Sequence, residues 1–292
     1  MFTFVFISFH SGIHIKRLIS SIEKKYPIIV IENSLDVELK NELEGKYDNV
    51  KVIIPSKNIG ISAGYNLGIR ESRTNFVKLT SADIYLTNKC LEDLEDCISK
   101  IKNFAILGPT YDDETIYKNY RIWKPGKITT SFTDKVFEEY KVTEVDFVEN
   151  DFVISKKDFK DLGFFDENIF MYYETMDLCK KVRTANKKIY ICKKIKFTHY
   201  GASSVNLKFS DQYSLNRSWH YNWSKFYYFK KNFGYFFAIR KIYPNFLRSI
   251  KKMIICKIYR KKKEYLSHKN ELLGILTSIF NRSSTYRPFE IE

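Results

Sequence analysis

Two carboxylates, Glu174 and Asp177, stand three residues apart directly after an aromatic stretch, Phe164-Phe165-Asp166-Glu167-Asn168-Ile169-Phe170-Met171-Tyr172-Tyr173. In a helix that starts here, positions i and i+3 lie on one face. Carboxylates at the edge of a hydrophobic wall suit general-base chemistry, in which a proton is taken from an attacking hydroxyl. The same pair also suits an ordinary acidic first turn, which the helix dipole favours. On these two residues alone both readings stay open.

Further polar residues fall where chemistry would need them only if particular elements lie beneath. Apolar runs at Phe2–Phe9, Ile28–Ile31, Val50–Pro55, Phe76–Thr80 and Phe104–Gly108 read as strands, the last ended by Pro109. Helical spacing or polarity marks Ile13–Lys25, Val37–Lys46, Ser62–Ser72 and Leu91–Lys100 between them. Such alternation implies βαβ units and a mostly parallel sheet, and such sheets bind ligands at the carboxyl ends of their strands. Ser8-Phe9-His10, Glu32-Asn33-Ser34, Asn58-Ile59-Gly60 and Ser81-Ala82-Asp83 all fall at those ends. Gly60, Gly64 and Gly68 recur every four residues into a helix, which suits either close approach to an anion at the helix N-terminus or tight helix packing. Farther on, Val145–Ile154 reads as a strand, Lys156–Leu162 as a helix closed by Gly163, and Ile189–Ile191 as a strand. The polar stretch Tyr111–Lys141 reads as a loop on the acceptor side.

Taken in order from about Phe2 to about Ser204, these segments resemble family 2 glycosyltransferases, especially the bacterial rhamnosyltransferase-like branch. The aromatic stretch with Glu174, Asp177, Leu178 and Cys179 is similar to the signature FDE…FxYxEDxDLC. Asn58, Gly60, Asn66 and Gly68 match NxGxxxxxNxG, and Glu32-Asn33-Ser34 is similar to DNxS. Ser81-Ala82-Asp83 stands at the DxD position, and His199 with Ser203 resembles the HxxxS-type ending. The resemblance implies a GT-A fold, Rossmann-like, with a mostly parallel sheet flanked by helices. It implies inverting transfer of a sugar, a hexose or a deoxyhexose such as rhamnose, from a nucleotide-diphosphate donor to a growing surface glycan or a lipid-linked acceptor. Ser8, His10, Glu32, Asn33, Asn58, Gly60, Asn66, Ser81 and Asp83 would line the donor side. Asp83 and His199 would hold a divalent cation, Mn²⁺ or Mg²⁺, against the diphosphate. The family base commonly follows the Glu, and that position here is Thr175, whose hydroxyl is no base near neutral pH. Glu174 then becomes the candidate base and Asp177 orients the acceptor or caps the helix. Asp151 is a candidate acceptor contact, and Asp166 reads as a turn residue. Ser81 and Thr175 each replace a carboxylate, which keeps a rival in view: a catalytically silent, nucleotide-sugar-binding homologue acting as a partner subunit. A Rossmann enzyme of other chemistry is disfavoured, because the first βα turn, Ser8–Gly12, lacks GxGxxG.

The 292 residues suffice for one large α/β domain and an appendage. Five cysteines, odd in number and without a CxxC pair, argue against a disulfide framework or a zinc knuckle and fit buried thiols in a reducing compartment. The net charge of +15 is uneven: Asn206–Glu292 carries 18 Lys and Arg against 5 Asp and Glu, the rest 31 against 29. The expected division is a GT-A domain over residues 1–205 and a basic, aromatic-rich helical extension over 206–292, with Trp223–Ile242 as an amphipathic helix or helix pair. That composition suits an anionic membrane surface; the resemblance, which implies lipid-linked acceptors on the cytoplasmic leaflet, adds the expectation of a cytoplasmic protein, peripheral at the inner face of the cell membrane. Nucleic-acid binding would use the same charge, but no RRM, KH or zinc pattern accompanies it. A solvated extension used for dimerisation is the third reading. The apolar start, Met1–Ser8, lacks a basic n-region and is too short to span, so a first strand is expected there and no transmembrane helix elsewhere.

Overall fold

The computed structural model describes residues 1–101, 103–111, 118–123, 138–149, 151–199 and 209–288. Two compact units result, one of Met1–Phe165 with Thr175–Ser204, the other of Asp166–Glu174 with Val205–Glu292. Residues 166–174, read above with the first region, group with the C-terminal helices. Most of the polar stretch read as an acceptor-side loop, residues 112–117 and 124–137, lies outside the described residues, as do Gly201 and Ser203.

The first unit is built on a sheet of nine strands among the described residues. In chain order these are β1 (Thr3–Ser8), β2 (Ile28–Glu32), β3 (Val50–Ile53), β4 (Phe76–Thr80), β5 (Ile84–Tyr85), β6 (Ile106–Tyr111), β8 (Val142–Glu144), β10 (Phe152–Ser155) and β11 (Ile189–His199). The pair β7 (Tyr120–Arg121) and β9 (Phe147–Val148) forms a small separate ribbon. The strand order is β3-β2-β1-β4-β10-β6-β11-β5, with β8 on β11. Strands β3, β2, β1 and β4 are mutually parallel, whereas β10 runs antiparallel between β4 and β6. Among the described residues, helices α1 (Gly12–Ser20), α2 (Val37–Lys46), α3 (Gly60–Glu71), α4 (Asn88–Lys100), α5 (Lys156–Asp161) and α6 (Glu174–Thr184) accompany the sheet, except that Glu174 belongs to the second unit.

Side chains alternate across β1 as strand geometry requires. Phe2, Phe4 and Phe6 pack with Ile15 and Leu18 of α1, Leu39 of α2 and Leu94 of α4. Val5 faces the other way, into a core shared with Ile69 of α3, Phe159 of α5 and Leu178 of α6. Helices therefore cover both faces, and β1, β2 and β4 read as near-continuous apolar runs because most of their side chains are buried, whereas Lys51 on the edge strand β3 is exposed.

Three expected elements take a different course. The strand expected over Val145–Ile154 breaks into β9 and β10, because Asp151 between them takes the left-handed conformation (φ 49°). Pro109 does not end β6, which continues to Tyr111. Proline cannot donate to a ladder, and the β11 partner shifts register just past the Cys192–Pro109 pair. The short strand expected at Ile189–Ile191 extends through His199, since β11 pairs in turn with β6, β8 and β5.

In the second unit, α7 (Ser210–Phe233), α8 (Tyr235–Ile258) and α9 (Lys262–Ile279) follow one another. Trp223–Ile242 is a helix pair, broken at Gly234, which takes a φ of 91° that L-residues rarely adopt. Four large aromatics of α7, Trp219, Trp223, Phe226 and Tyr228, are buried, whereas Tyr221 and Phe233 are exposed. Phe226, Ala238, Ile242 and Ile275 form the centre of the unit. Gly274 of α9 lies so close to α7 that a Cβ there would stand 2.3 Å from the Trp219 carbonyl oxygen.

Candidate functional site

The order β3-β2-β1-β4 puts a topological switch point between β1 and β4, the place where open α/β sheets bind ligands at their carboxyl ends. At the ends of β1 and β2 the register pairs Ser8 with Glu32. Both are fully buried. Glu32 Oε1 accepts from the Ser34 N–H at 2.7 Å and from the Ser34 hydroxyl. Burial pushes the Glu32 carboxyl above its ordinary value, and hydrogen bonds from Ser34 and Ser8 oppose the shift. The His10 backbone, at φ 52°, donates to Ser34 Oγ at 3.2 Å. Burial lowers the His10 imidazole, with the Asp36 carboxylate acting in the opposite sense. Ser8, His10 and Glu32 are thus gathered by one pair of turns.

Asn33 faces the start of α3. Its amide donates to the Gly60 carbonyl at 3.2 Å and its oxygen accepts from the Ile59 N–H at 3.4 Å. Asn58 accepts from the Gly60 N–H at 3.0 Å, and Gly60 itself has φ 80°. Gly64 and Gly68 lie against β1: a Cβ would stand 2.8 Å from Ile7 Cδ1 at the first and 2.4 Å from Val5 Cγ1 at the second. Helix packing accounts for these two glycines. Asn66 is fully buried and clamps the Phe165 backbone from both sides, accepting from its N–H and donating to its carbonyl, each at 3.0 Å. The clamp sits immediately before residues 166–174.

The end of β4 holds a group that the sequence reading missed. Lys78 is fully buried, and its ammonium lies 3.4 Å from Asp151 Oδ1 and 5.1 Å from the centre of the Phe197 ring. Asp151 is 1% exposed and also accepts from the Tyr111 hydroxyl at 2.9 Å and the Ser81 hydroxyl at 3.4 Å. Desolvation lowers the Lys78 pKa to about 8, and Asp151 opposes the shift. The antiparallel pairing of Phe152 with Leu79 brings Asp151 to this strand end. A signal was present: a lysine inside the run Phe76-Val77-Lys78-Leu79-Thr80 of a strand with both faces covered demands a partner. Asp83, after Ser81, is buried. His199 ends β11 with its backbone opposite Ile84, so Asp83 and His199 occupy adjoining register positions. Among the described residues no three His, Cys, Asp or Glu side chains converge as a metal cluster. One buried carboxylate is still a hard oxygen ligand of the kind Mg²⁺ takes when phosphates and water complete its shell, so Asp83 fits such an ion.

Glu174 opens α6, after Tyr172 and Tyr173 with φ 63° and 68°. Two consecutive left-handed non-glycine residues cost on the order of 1–3 kcal/mol each and persist only where packing imposes them. That packing comes from α7. Tyr173 lies 5.5 Å, ring to ring, from both Tyr221 and Tyr228. The Met171 carbonyl accepts from Ser224 at 2.8 Å, and Asp166 accepts from Tyr227 at 3.0 Å and Lys231 at 2.7 Å. Arg287 lies 3.4 Å over the Phe170 ring, which stacks on His220. In the first unit, Asp177 is 1% exposed, with Lys181 3.8 Å away; Lys181 donates to the Phe164 carbonyl. Thr175 is buried beside it in sequence.

Residues 13–163 match the family model described as glycosyl transferase family 2. Among curated proteins, the chain is similar to low-salt glycan biosynthesis hexosyltransferase Agl10 of Haloferax volcanii, 26% identical over 204 residues, covering 67% of this chain and 66% of that protein. It is also similar to dTDP-rhamnosyl transferase RfbF of Shigella flexneri, 26% identical over 195 residues, covering 63% and 64%. The chain thus spans just under two thirds of the length of these relatives. Among solved structures, the mannosyltransferase PcManGT of Pyrobaculum calidifontis with GDP-Man and Mn²⁺ is similar in fold, with a TM-score of 0.56 at 9% identity over 96% of this chain and 87% of that one. GalNAc-T7 with UDP, GalNAc and Mn²⁺ gives 0.55 at 14% identity over 80% and 52%. The α/β architecture with its mostly parallel sheet is the GT-A fold.

Proposed function

Because the chain belongs to glycosyl transferase family 2, we propose that it transfers a hexose or deoxyhexose from a nucleotide-diphosphate donor, with inversion, to a growing surface glycan or lipid-linked acceptor. The carrying observation is the pairing of β5 with the end of β11, which sets His199 beside the Ser81–Asp83 segment at the carboxyl end of β4. The two curated relatives, named as a hexosyltransferase and a dTDP-rhamnosyl transferase, support the sugar class.

In this reading residues 1–205 hold the donor. Glu32 and Ser8 meet the nucleoside end, and Asn33, Asn58 and Asn66 act by shaping the loops around it. Asp83 and His199 would hold Mn²⁺ or Mg²⁺; the two solved neighbours named above are structures with Mn²⁺. Such an ion, when bound, neutralises the leaving diphosphate. The acceptor oxygen forms its bond to the anomeric carbon on the face opposite the diphosphate, the bond from that carbon to the diphosphate oxygen breaks, and Glu174 takes the hydroxyl proton. Asp177, buried and facing Lys181, positions the start of α6. Asp151, the candidate acceptor contact, accepts from the Ser81 and Tyr111 hydroxyls at this strand end. The helical unit, over residues 206–292, faces an anionic membrane at the cytoplasmic side, and nucleic acid is not a partner. No described helix is long and apolar enough to cross a membrane.

The test is a thermal-shift panel of nucleoside diphosphates and sugar nucleotides with Mn²⁺, Mg²⁺ or EDTA, on the wild-type protein, Asp83→Asn and Glu174→Gln. A ligand at about 100 times its Kd adds roughly 2.7 kcal/mol. Wild type and Glu174→Gln should shift with one donor and the metal, Asp83→Asn should not, and transfer should vanish in both variants. A wild-type shift without any turnover would instead favour the silent homologue, to which Thr175 and Ser81 point. No shift with any nucleotide overturns the donor site.

A further inference from the structure

We propose that α8 lies along an anionic phospholipid bilayer, with its outward face set among the headgroups and upper acyl chains. This rests on the membrane-facing reading of the helical unit and names the element and residues that make the contact.

The observation is a helix whose two opposite faces are both apolar. A helix turns by about 100° per residue, so Ala238, Ile242, Ser249 and Cys256 fall on one side, and all four are buried. Phe236, Tyr243, Leu247, Ile254 and Ile258 fall on the other side, and all five are exposed, Phe236 by 88% and Ile258 by 70%. A solvated helix carries polar residues opposite its buried stripe. Here that position holds five large apolar side chains in register over about six turns. Arg240, Arg248, Lys251 and Lys257 border them, with Lys241 and Lys252 farther round the helix, every one exposed. Arg260–Lys263 adds four more cations, and no Asp or Glu occurs from Tyr235 to Lys263.

Charge selects the occupant. An apolar stripe edged by cations matches a surface with phosphates above and hydrocarbon beneath, the pattern of helices that lie in the membrane interface. A nucleic acid would answer the cations but offers no apolar partner to Leu247, Ile254 or Ile258. A second copy meeting face to face would bring the same patch onto itself, setting the cations of one copy against those of the other without an acid in the segment.

The experiment uses the full chain with sedimented vesicles, either phosphatidylcholine alone or phosphatidylcholine and phosphatidylglycerol in equal parts. Two variants accompany it, Phe236→Ser/Leu247→Ser/Ile258→Ser and Lys251→Gln/Lys252→Gln, each checked for an unchanged unfolding midpoint. Wild type should bind the phosphatidylglycerol vesicles and not the neutral ones. The triple serine variant should lose on the order of a hundredfold in partitioning, and the glutamine pair should lose about tenfold. Wild-type binding that the triple variant retains overturns α8 as the contact and leaves the membrane reading standing. Absence of wild-type binding overturns both, while the donor thermal shift judges the transferase reading separately. A wild-type dimer in sedimentation velocity that the triple variant converts to monomer, with vesicle binding unchanged, assigns the face to a second copy instead.

Discussion

Lys78 and Asp151 show how a single buried pair can shape a strand end. Burial withdraws the ammonium from water, and a carboxylate 3.4 Å away restores only part of the lost solvation, so the lysine titrates at about 8. The ordinary value, 10.5, applies to the unfolded chain. Between the two the unfolded state binds more protons, so stability through this residue rises with pH across that window and its penalty is complete below it. The slope is about 1.4 kcal/mol per unit. Chemical unfolding of wild type and of Lys78→Met/Asp151→Asn, followed from pH 7 to pH 10, should show wild type gaining on the variant above about pH 8. Parallel curves would mean that Lys78 is hydrated. The lysine was visible in the sequence as an anomaly inside an apolar strand, whereas its partner was not: Asp151 lies 73 residues away and reaches it only through an antiparallel strand inserted into a parallel sheet.

Helix α3 carries the next lesson. Two of its three glycines, Gly60 and Gly68, match a family motif, and the motif could have meant ligand approach along its whole length. The geometry divides the labour. Gly60 supplies a turn with positive φ beside Asn33 and Asn58, whereas Gly68 and Gly64 let α3 settle onto Val5 and Ile7 of β1. Gly68→Ala should therefore cost about 1–3 kcal/mol, because its methyl would meet Val5 Cγ1 at 2.4 Å in a close-packed core. Gly45→Ala, in α2 with nothing within 4 Å, should be neutral or stabilise by up to about 1 kcal/mol. Equal midpoints for the two variants in denaturant titrations would refute the packing account. Strand and helix positions were readable because apolar periodicity is a local property. Lengths were less so: β11 outran its apolar run and the Val145–Ile154 strand broke, since pairing partners and one left-handed residue set those limits.

Across the whole chain, residues 166–174 tie the two units into one covalent path. Their aromatic and polar contacts within the helical unit, through Tyr221, Ser224, Tyr227, Tyr228 and Lys231, hold Tyr172 and Tyr173 in strained conformations just before Glu174. A protein ending at Ser204 should keep its donor-dependent thermal shift yet lose transfer at least about a hundredfold, a loss of more than about 2.7 kcal/mol in transition-state stabilisation. Limited proteolysis should then cut within 166–174, and full turnover by that fragment would show that the loop needs no helical support. Local pattern alone was enough for the alternation of strands and helices, the strand-end placement of Ser8, Glu32 and Asp83, the charge asymmetry and the family resemblance, because periodicity, composition and motif spacing are written in neighbouring residues. The pairing of Lys78 with Asp151, the attachment of the Glu174 loop to α7 and the outward turn of Phe236 and Ile258 came only with the folded chain. Each depends on which distant segment covers which face, and long-range packing leaves no mark in the local order of residues.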